Sequence, residues 1–226
     1  MPLYTAPRIL GKIGGGRRAP DIVGTGTAFF SSSGSNSYTI AHTVPAGANC
    51  LAVCLGACRG SGSYEPTVTW NGGAVAELAR GTGFTFNRGV SLSWIGAVIL
   101  PTSGTRDIVV GFDVAPDNMA LYAVNLAGVD TSSPVADAEG RGTFFFNFAS
   151  LGATLETALP SLVFGGMSLA QPSGAVSIAP AAGVTEIVEG TASGAAAARQ
   201  CFGYRREGVG GAYEFAATAS QSSSCS

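Results

Sequence analysis

His42 is the single histidine of the chain, so any mechanism that sets a hydroxyl or thiol nucleophile against an imidazole base has to pass through it. It lies in the segment 37–44, where Tyr38, Ile40 and His42 alternate with Thr39, Ala41 and Thr43, the two-residue period of a half-buried strand. No G-x-S-x-G nucleophile elbow occurs anywhere in the sequence, and the expectation is a structural imidazole rather than a base. Cys50, Cys54 and Cys58 have the spacing C-x3-C-x3-C, which invites a metal or cluster reading. The interleaved Leu51, Val53 and Leu55 favour a strand, on which four residues span roughly 13 Å, too far for two thiolates to share one ion. The three are therefore expected to act as small buried hydrophobes, with Cys201 and Cys225 as free thiols.

The remaining chemistry-bearing residues form no constellation. The carboxylates lie mostly in or beside turns, and nothing selects a pair for acid–base work. Asp113 to Asn118 offers side-chain oxygens for a weak calcium site only if other loops contribute. Gly11-Lys12-Ile13-Gly14 lacks the order of a phosphate-cradling loop, and Gly24-Thr25-Gly26 opens no helix. No catalytic residue, metal or cofactor is expected, and the chain is not expected to be an enzyme. Trp70 and Trp94, with Tyr64, Phe84 and Phe86, lie near turns, and Phe144, Phe145 and Phe146 are consecutive. Exposed rings of this kind would make a stacking platform for a sugar, for which Trp70 and Trp94 are the candidates; packed rings would fill a sandwich core and a subunit contact.

These residues sit in a chain of 226 residues, 46% apolar and only 12% charged, with 33 glycines. Good helix formers are scarce, and the composition points to an all-β antiparallel sandwich of jelly-roll type with a weakly charged exterior suited to neighbouring subunits. A formal net charge of −2 argues against a cation-driven nucleic-acid binder, and the four dispersed cations of the N-terminal stretch would hold nucleic acid only weakly, which favours a protein partner for them. No apolar run reaches the ~20 residues of a membrane span, and the N-terminal stretch lacks the apolar region of a signal peptide. Five cysteines, an odd number, agree with synthesis in a reducing compartment.

Residues 1–24 combine Pro2, Pro7 and Pro20 with Gly14, Gly15 and Gly16 and the cations Arg8, Lys12, Arg17 and Arg18. They read as an extended arm, its four cations docking on a partner protein. Residues 25–226 form the sandwich. Strands are expected at 25–30, 37–44, 50–58, 66–70, 74–79, 90–100, 105–113, 119–127, 143–148, 152–157, 161–169, 184–189, 197–205 and 212–219. A short helix over 194–199 competes with strand, given its alanines. Asn71-Gly72 marks a type I′ hairpin turn. Pro101-Thr102-Ser103-Gly104 separates two β-rich runs that are expected to pair antiparallel. The continuous runs Leu51 to Leu55 and Ala97 to Leu100 read as strands buried on both faces. CLAVCLGA, VTWNGGAVAELA and SLSWIGAVILPTSGTRDIVVGF are echoed in pattern by SLVFGGMSLA, GVTEIVEG and ARQCFGYRREGVGGAYEFAATA, which raises two similar halves within one domain.

The order HTVPAGANCLAVCLGA, TVTWNGGAVAELA, WIGAVILPTSGTRDIVV and ALYAVNLAGVDTSSPV, over roughly residues 42–135, resembles β-sandwich proteins encoded by tailed bacteriophages and prophages. The shared signatures are the turn Val44-Pro45-Ala46-Gly47, the hairpin from Val68 to Leu78, and Gly128-Val129-Asp130 with Pro134-Val135. The resemblance implies a virion component: a head decoration or spike, a collar, a fibre module or a tail-surface protein. It also implies synthesis in the host cytoplasm, other virion proteins as partners and homo-oligomeric assembly. It carries no catalytic residue. The expected function is structural, by protein–protein docking; the alternative is a module that binds a carbohydrate or a receptor on the host surface.

Overall fold

The computed structural model describes residues 8–14, 19–59, 64–85, 89–132, 134–141, 151–157, 161–171, 176–180, 184–192, 197–207 and 211–221. Among them there are strands and turns and no helix. The strands are β1 (Arg8–Gly14), β2 (Asp21–Ser31), β3 (Ser37–Val44), β4 (Cys50–Arg59), β5 (Pro66–Trp70), β6 (Gly73–Ala74), β7 (Ala76–Thr85), β8 (Gly89–Ile99) and β9 (Gly104–Phe112). They continue with β10 (Asn118–Ala127), β11 (Val135–Arg141), β12 (Leu151–Thr157), β13 (Ser161–Gln171), β14 (Val176–Pro180), β15 (Thr185–Ala192), β16 (Ala197–Glu207) and β17 (Gly211–Gln221).

They form four antiparallel sheets. A central five-stranded sheet has the order β2-β10-β4-β8-β7, and a second five-stranded sheet the order β11-β1-β13-β16-β15. A four-stranded sheet β3-β9-β5-β6 and a three-stranded sheet β12-β17-β14 complete the set. The four-stranded sheet covers one face of the central sheet, and the interior between them contains Tyr38, Ile40, Ile108, Val110, Leu51 and Leu55. This is the expected antiparallel sandwich. The second five-stranded sheet packs on the opposite face through β13 and β16, where the Tyr122 ring stacks on Phe202 at 6.2 Å between centroids.

The double coverage explains β4. Every residue from Cys50 to Cys58 is buried, as its unbroken apolar run predicts for a strand with no wet face. Cross-strand partners point to the same side of a sheet, and Cys54 lies opposite Tyr122, which faces the second five-stranded sheet. Alternation then puts Cys50, Ala52, Cys54, Gly56 and Cys58 on that side and Leu51, Val53, Leu55 and Ala57 on the other. Small side chains thus line the side where aromatic rings descend from the neighbouring layer.

The turns divide into two kinds. Asn71 and Gly72 have φ of 49° and 80°, the paired positive values of a type I′ turn, and Trp70 pairs with Gly73 across it. The return strand is short. At Val75, which is buried, the chain leaves the four-stranded sheet, and β7 starts in the central one. The second kind joins layers instead of strands. The runs on either side of Pro101-Thr102-Ser103-Gly104 do not form the expected hairpin: β8 pairs with β4 and β7, whereas β9 pairs with β3 and β5. Leu100 (φ 53°) and Gly104 (φ 101°) turn the chain from one sheet to the other. Leu100 is 68% exposed, so the run Ala97 to Leu100 is buried only at its start. Asn49 pins this end of the sandwich: it binds Val129 O (2.8 Å) and Val129 N (3.1 Å) through its side chain, and its carbonyl accepts from Leu100 N at 2.9 Å.

Residues 8–14, expected to belong to an arm, are instead β1, which is hydrogen-bonded to β11 on one side and to β13 on the other. Residues 21–24 belong to β2. β11 and β14 also lie outside the expected strands. The segment 197–199, weighed as helix, is the start of β16; 194–196 and the expected strand 143–148 lie outside the described residues.

Candidate functional site

Among the described residues, side chains of three strands converge on His42 in the buried interior. Its position on β3, with the burial alternation Ser37–Val44 exposed then buried throughout, turns the ring into the space between the four-stranded and central sheets, and the residue is 1% exposed. Nδ1 lies 2.8 Å from Thr27 Oγ1 on β2 and Nε2 lies 3.0 Å from Asn125 Oδ1 on β10. The Asn125 amide is oriented by a second bond, Nδ2 to Thr43 O at 3.0 Å. An amide oxygen can only accept, so Nε2 carries the proton, and Nδ1 accepts from the Thr27 hydroxyl. Trp70 meets the imidazole edge-on at 5.9 Å.

Hydroxyl, imidazole and amide stand in the order of an acyl-transfer triad, and the chemistry available to them follows from the surroundings. Burial holds the imidazole below its ordinary value, with the Asn125 bond pulling in the opposite direction. An imidazolium formed by taking the Thr27 proton would gain no carboxylate partner at Nε2. Both nitrogens are engaged within the interlayer, so the arrangement ties β2, β3 and β10 together in the neutral state. Asn125 and Thr27 escaped the sequence reading; the signal for the first was a lone amide in the apolar run Ala123 to Ala127, whereas nothing marked Thr27 among its neighbouring glycines and threonines.

The cysteine triplet lies on β4 as expected, with three free, buried thiols. Burial pushes the Cys50 thiol up to about 12 and raises Cys54 as well; at Cys58 burial is joined by the nearby Asp117 carboxylate in the same direction. Protonated thiols in this state are neither nucleophiles nor ligands. Among the described residues no group of three His, Cys, Asp or Glu side chains is arranged to hold a metal. In the loop weighed for calcium, Asp113 Oδ1 accepts from the backbone N–H of Glu65 (2.6 Å) and of Val114 (2.9 Å). Cys201 lies on β16, and Cys225 lies outside the described residues.

The aromatic platform requires correction. Trp70 is 5% and Trp94 3% exposed, so neither indole face is open to a sugar; both fill the space between layers, where large rings bury the most area. Trp94 donates its Nε1–H to Glu77 at 2.8 Å, and Glu77 also receives Arg80 Nη2 at 2.6 Å while Arg80 pairs with Glu65. Tyr64 is likewise buried, its hydroxyl donating to Ala57 O at 2.5 Å. Phe84 lies on β7; Phe86 and Phe144 to Phe146 lie outside the described residues. Of the cations expected to dock a partner, Arg8 and Lys12 are strand residues of β1, opposite Met167 and Val163 of β13; Arg17 and Arg18 lie outside the described residues. No helix among the described residues is long and apolar enough to cross a membrane. No protein family, curated protein or solved structure was found to match the chain.

Proposed function

We propose that this chain is a non-catalytic building block of a larger particle, of the virion-surface type that its turn and hairpin signatures resemble. The observation that carries the reading is the use made of its only imidazole: buried, neutral, and hydrogen-bonded on both sides to neighbouring strands, β2 and β10, of the sheet that faces its own. The three cysteines of β4 are used in the same way, as protonated filling between layers. With His42 and the cysteines of β4 committed to the interior, shape and backbone are what these layers offer to partners, and the low charge suits close packing against other subunits.

The test is composition of particles. Phage particles induced from the source strain and purified by density gradient should contain the chain in stoichiometric copies, measured by quantitative mass spectrometry against the major capsid protein. Recovery of the chain only in the soluble, particle-free fraction would remove the virion reading. A hydrolytic activity lost on Thr27→Val with folding intact would replace it by an enzymatic one.

A further inference from the structure

The two five-stranded sheets repeat one plan. In the first unit the chain runs from β2 in the central sheet to β3 in the outer sheet, back to β4, out to β5, back for β7 and β8, out to β9 and back to β10. From β11 it runs in the same way: out to β12, back to β13, out to β14, back for β15 and β16, and out to β17. Spatial neighbours agree too, since β3-β9-β5 matches β12-β17-β14, and β4-β8-β7 matches β13-β16-β15. The echoed sequences fall on corresponding strands: CLAVCLGA on β4 with SLVFGGMSLA on β13, and the run across β8 and β9 with that across β16 and β17.

One strand breaks the chain order. The place held in the first unit by β10, antiparallel to both β2 and β4, is held in the second by β1, antiparallel to both β11 and β13. β1 precedes the whole first unit in sequence and closes the second. Its ladders are Arg8 to Arg141 and Lys12 to Asp137 on one side, Arg8 to Met167 and Gly14 to Ser161 on the other.

We propose that the slot between β11 and β13 is a strand-acceptor site, and that in the assembled protein it is filled by β1 of a second copy of this chain. The proposal rests on the assembly reading above and names its contact. What the slot recognises is main chain, hydrogen-bonded on both edges, and the β1 of any copy makes the same ladders. Six residues of sequence separate β1 from β2, a tether that reaches at most about 25 Å from Gly14 to Asp21. A short hinge between an exchangeable element and its domain favours exchange. Exchange of an identical element is also a low-cost route from monomer to oligomer, and it yields reciprocal dimers or head-to-tail chains that close into rings or grow as filaments.

Lys12 and Val163 are cross-strand partners. Full-length chains carrying only Lys12→Cys and, with a different tag, only Val163→Cys are refolded together from denaturant at high concentration and oxidised gently. Exchange gives a covalent species of both tags at twice the 22.6 kDa chain mass, several-fold above the dimer of either variant alone or of the wild type with its own cysteines. A Lys12→Cys/Val163→Cys double variant runs in parallel. No mixed-tag dimer, with the double variant closing a disulfide within one chain by peptide mapping, overturns the exchange. No disulfide in either sample overturns the seating of β1 itself. Wild-type chain found in particles while the disulfide stays within one chain would remove the exchange and leave the assembly reading; interchain disulfides with no chain in particles would do the reverse.

Discussion

Asn125→Ala tests the claim that His42 is a structural group. The substitution removes the acceptor of the Nε2–H bond and the donor to Thr43 O, both 3.0 Å in the native protein. Thr43 lies near the open edge of β3 and its carbonyl can turn partly to water, whereas the Nε2–H is left in the interior, where an unsatisfied donor costs about 1–3 kcal/mol. The lost packing adds about 1 kcal/mol, so the expected destabilisation is about 2–4 kcal/mol, a large share of the roughly 5–15 kcal/mol that holds a domain folded. In urea, with a slope of about 2–3 kcal/mol per molar, the midpoint should fall by roughly 1 M with the slope unchanged. pH supplies a second reading. Burial holds folded His42 below 6.5, mainly by desolvation, so as pH falls the unfolded chain takes up its proton first. This contribution to stability is complete above pH ~6.5, is lost progressively down to the folded pKa, and is flat beneath it. Without the Asn125 bond, which raises the folded value, the sloping range should reach further into acid; in a His42→Leu/Asn125→Leu variant that slope should vanish. A midpoint within about 0.2 M of wild type for Asn125→Ala, or an acid slope that survives loss of the imidazole, would refute the reasoning.

Three further outcomes are expected. Gly96→Ala would set a methyl against the Trp94 ring and 2.7 Å from the carbonyl of Ala76, which cannot move without disturbing the β7–β8 ladder; the overpacking should cost about 1–3 kcal/mol in urea melts. The thiols of Cys50, Cys54 and Cys58 should resist alkylation at pH 8 until the chain unfolds, because a pKa near 12 at Cys50 leaves a thiolate fraction of about 10⁻⁴; modification of Cys54 in native protein at the rate of a free peptide would contradict its burial. Leu100→Asn should raise Tm by about 2–4 °C, since Leu100 sits exposed at φ 53°, a region costing an ordinary side chain about 1–2 kcal/mol; a lowered Tm would show that its side chain makes a contact that offsets the strain.

The sequence made the local geometry legible wherever one residue type has one cause. Asn71-Gly72 fixed a type I′ turn, alternation around His42 fixed which residues of β3 point inward, and the unbroken apolar run of β4 announced two covered faces. Layer assignment was not legible. A turn signal such as Pro101 to Gly104 has the same composition whether it folds a strand back onto its neighbour or carries it to the facing sheet, and only the tertiary partners of β8 and β9 decide. Trp70 and Trp94 failed for a related reason: a ring beside a turn can face out or in, and the sequence holds no record of which layer lies above it. β1 was hidden by its two glycines and by the prolines and glycines that flank it, whose local preference for an arm is overridden by two long-range ladders. The burial of the imidazole followed from the alternation around it, but its partners did not, because Thr27, His42 and Asn125 are brought together by sheet stacking and by no spacing along the chain.

The fully covered β4 has a consequence for how the molecule opens. Its amides are flanked by β10 and β8 at both edges and by other layers above and below, so no fraying end or peeling edge reaches them. Deuterium should enter Leu51 to Cys58 only when the layers separate altogether, making this strand the internal clock of global unfolding.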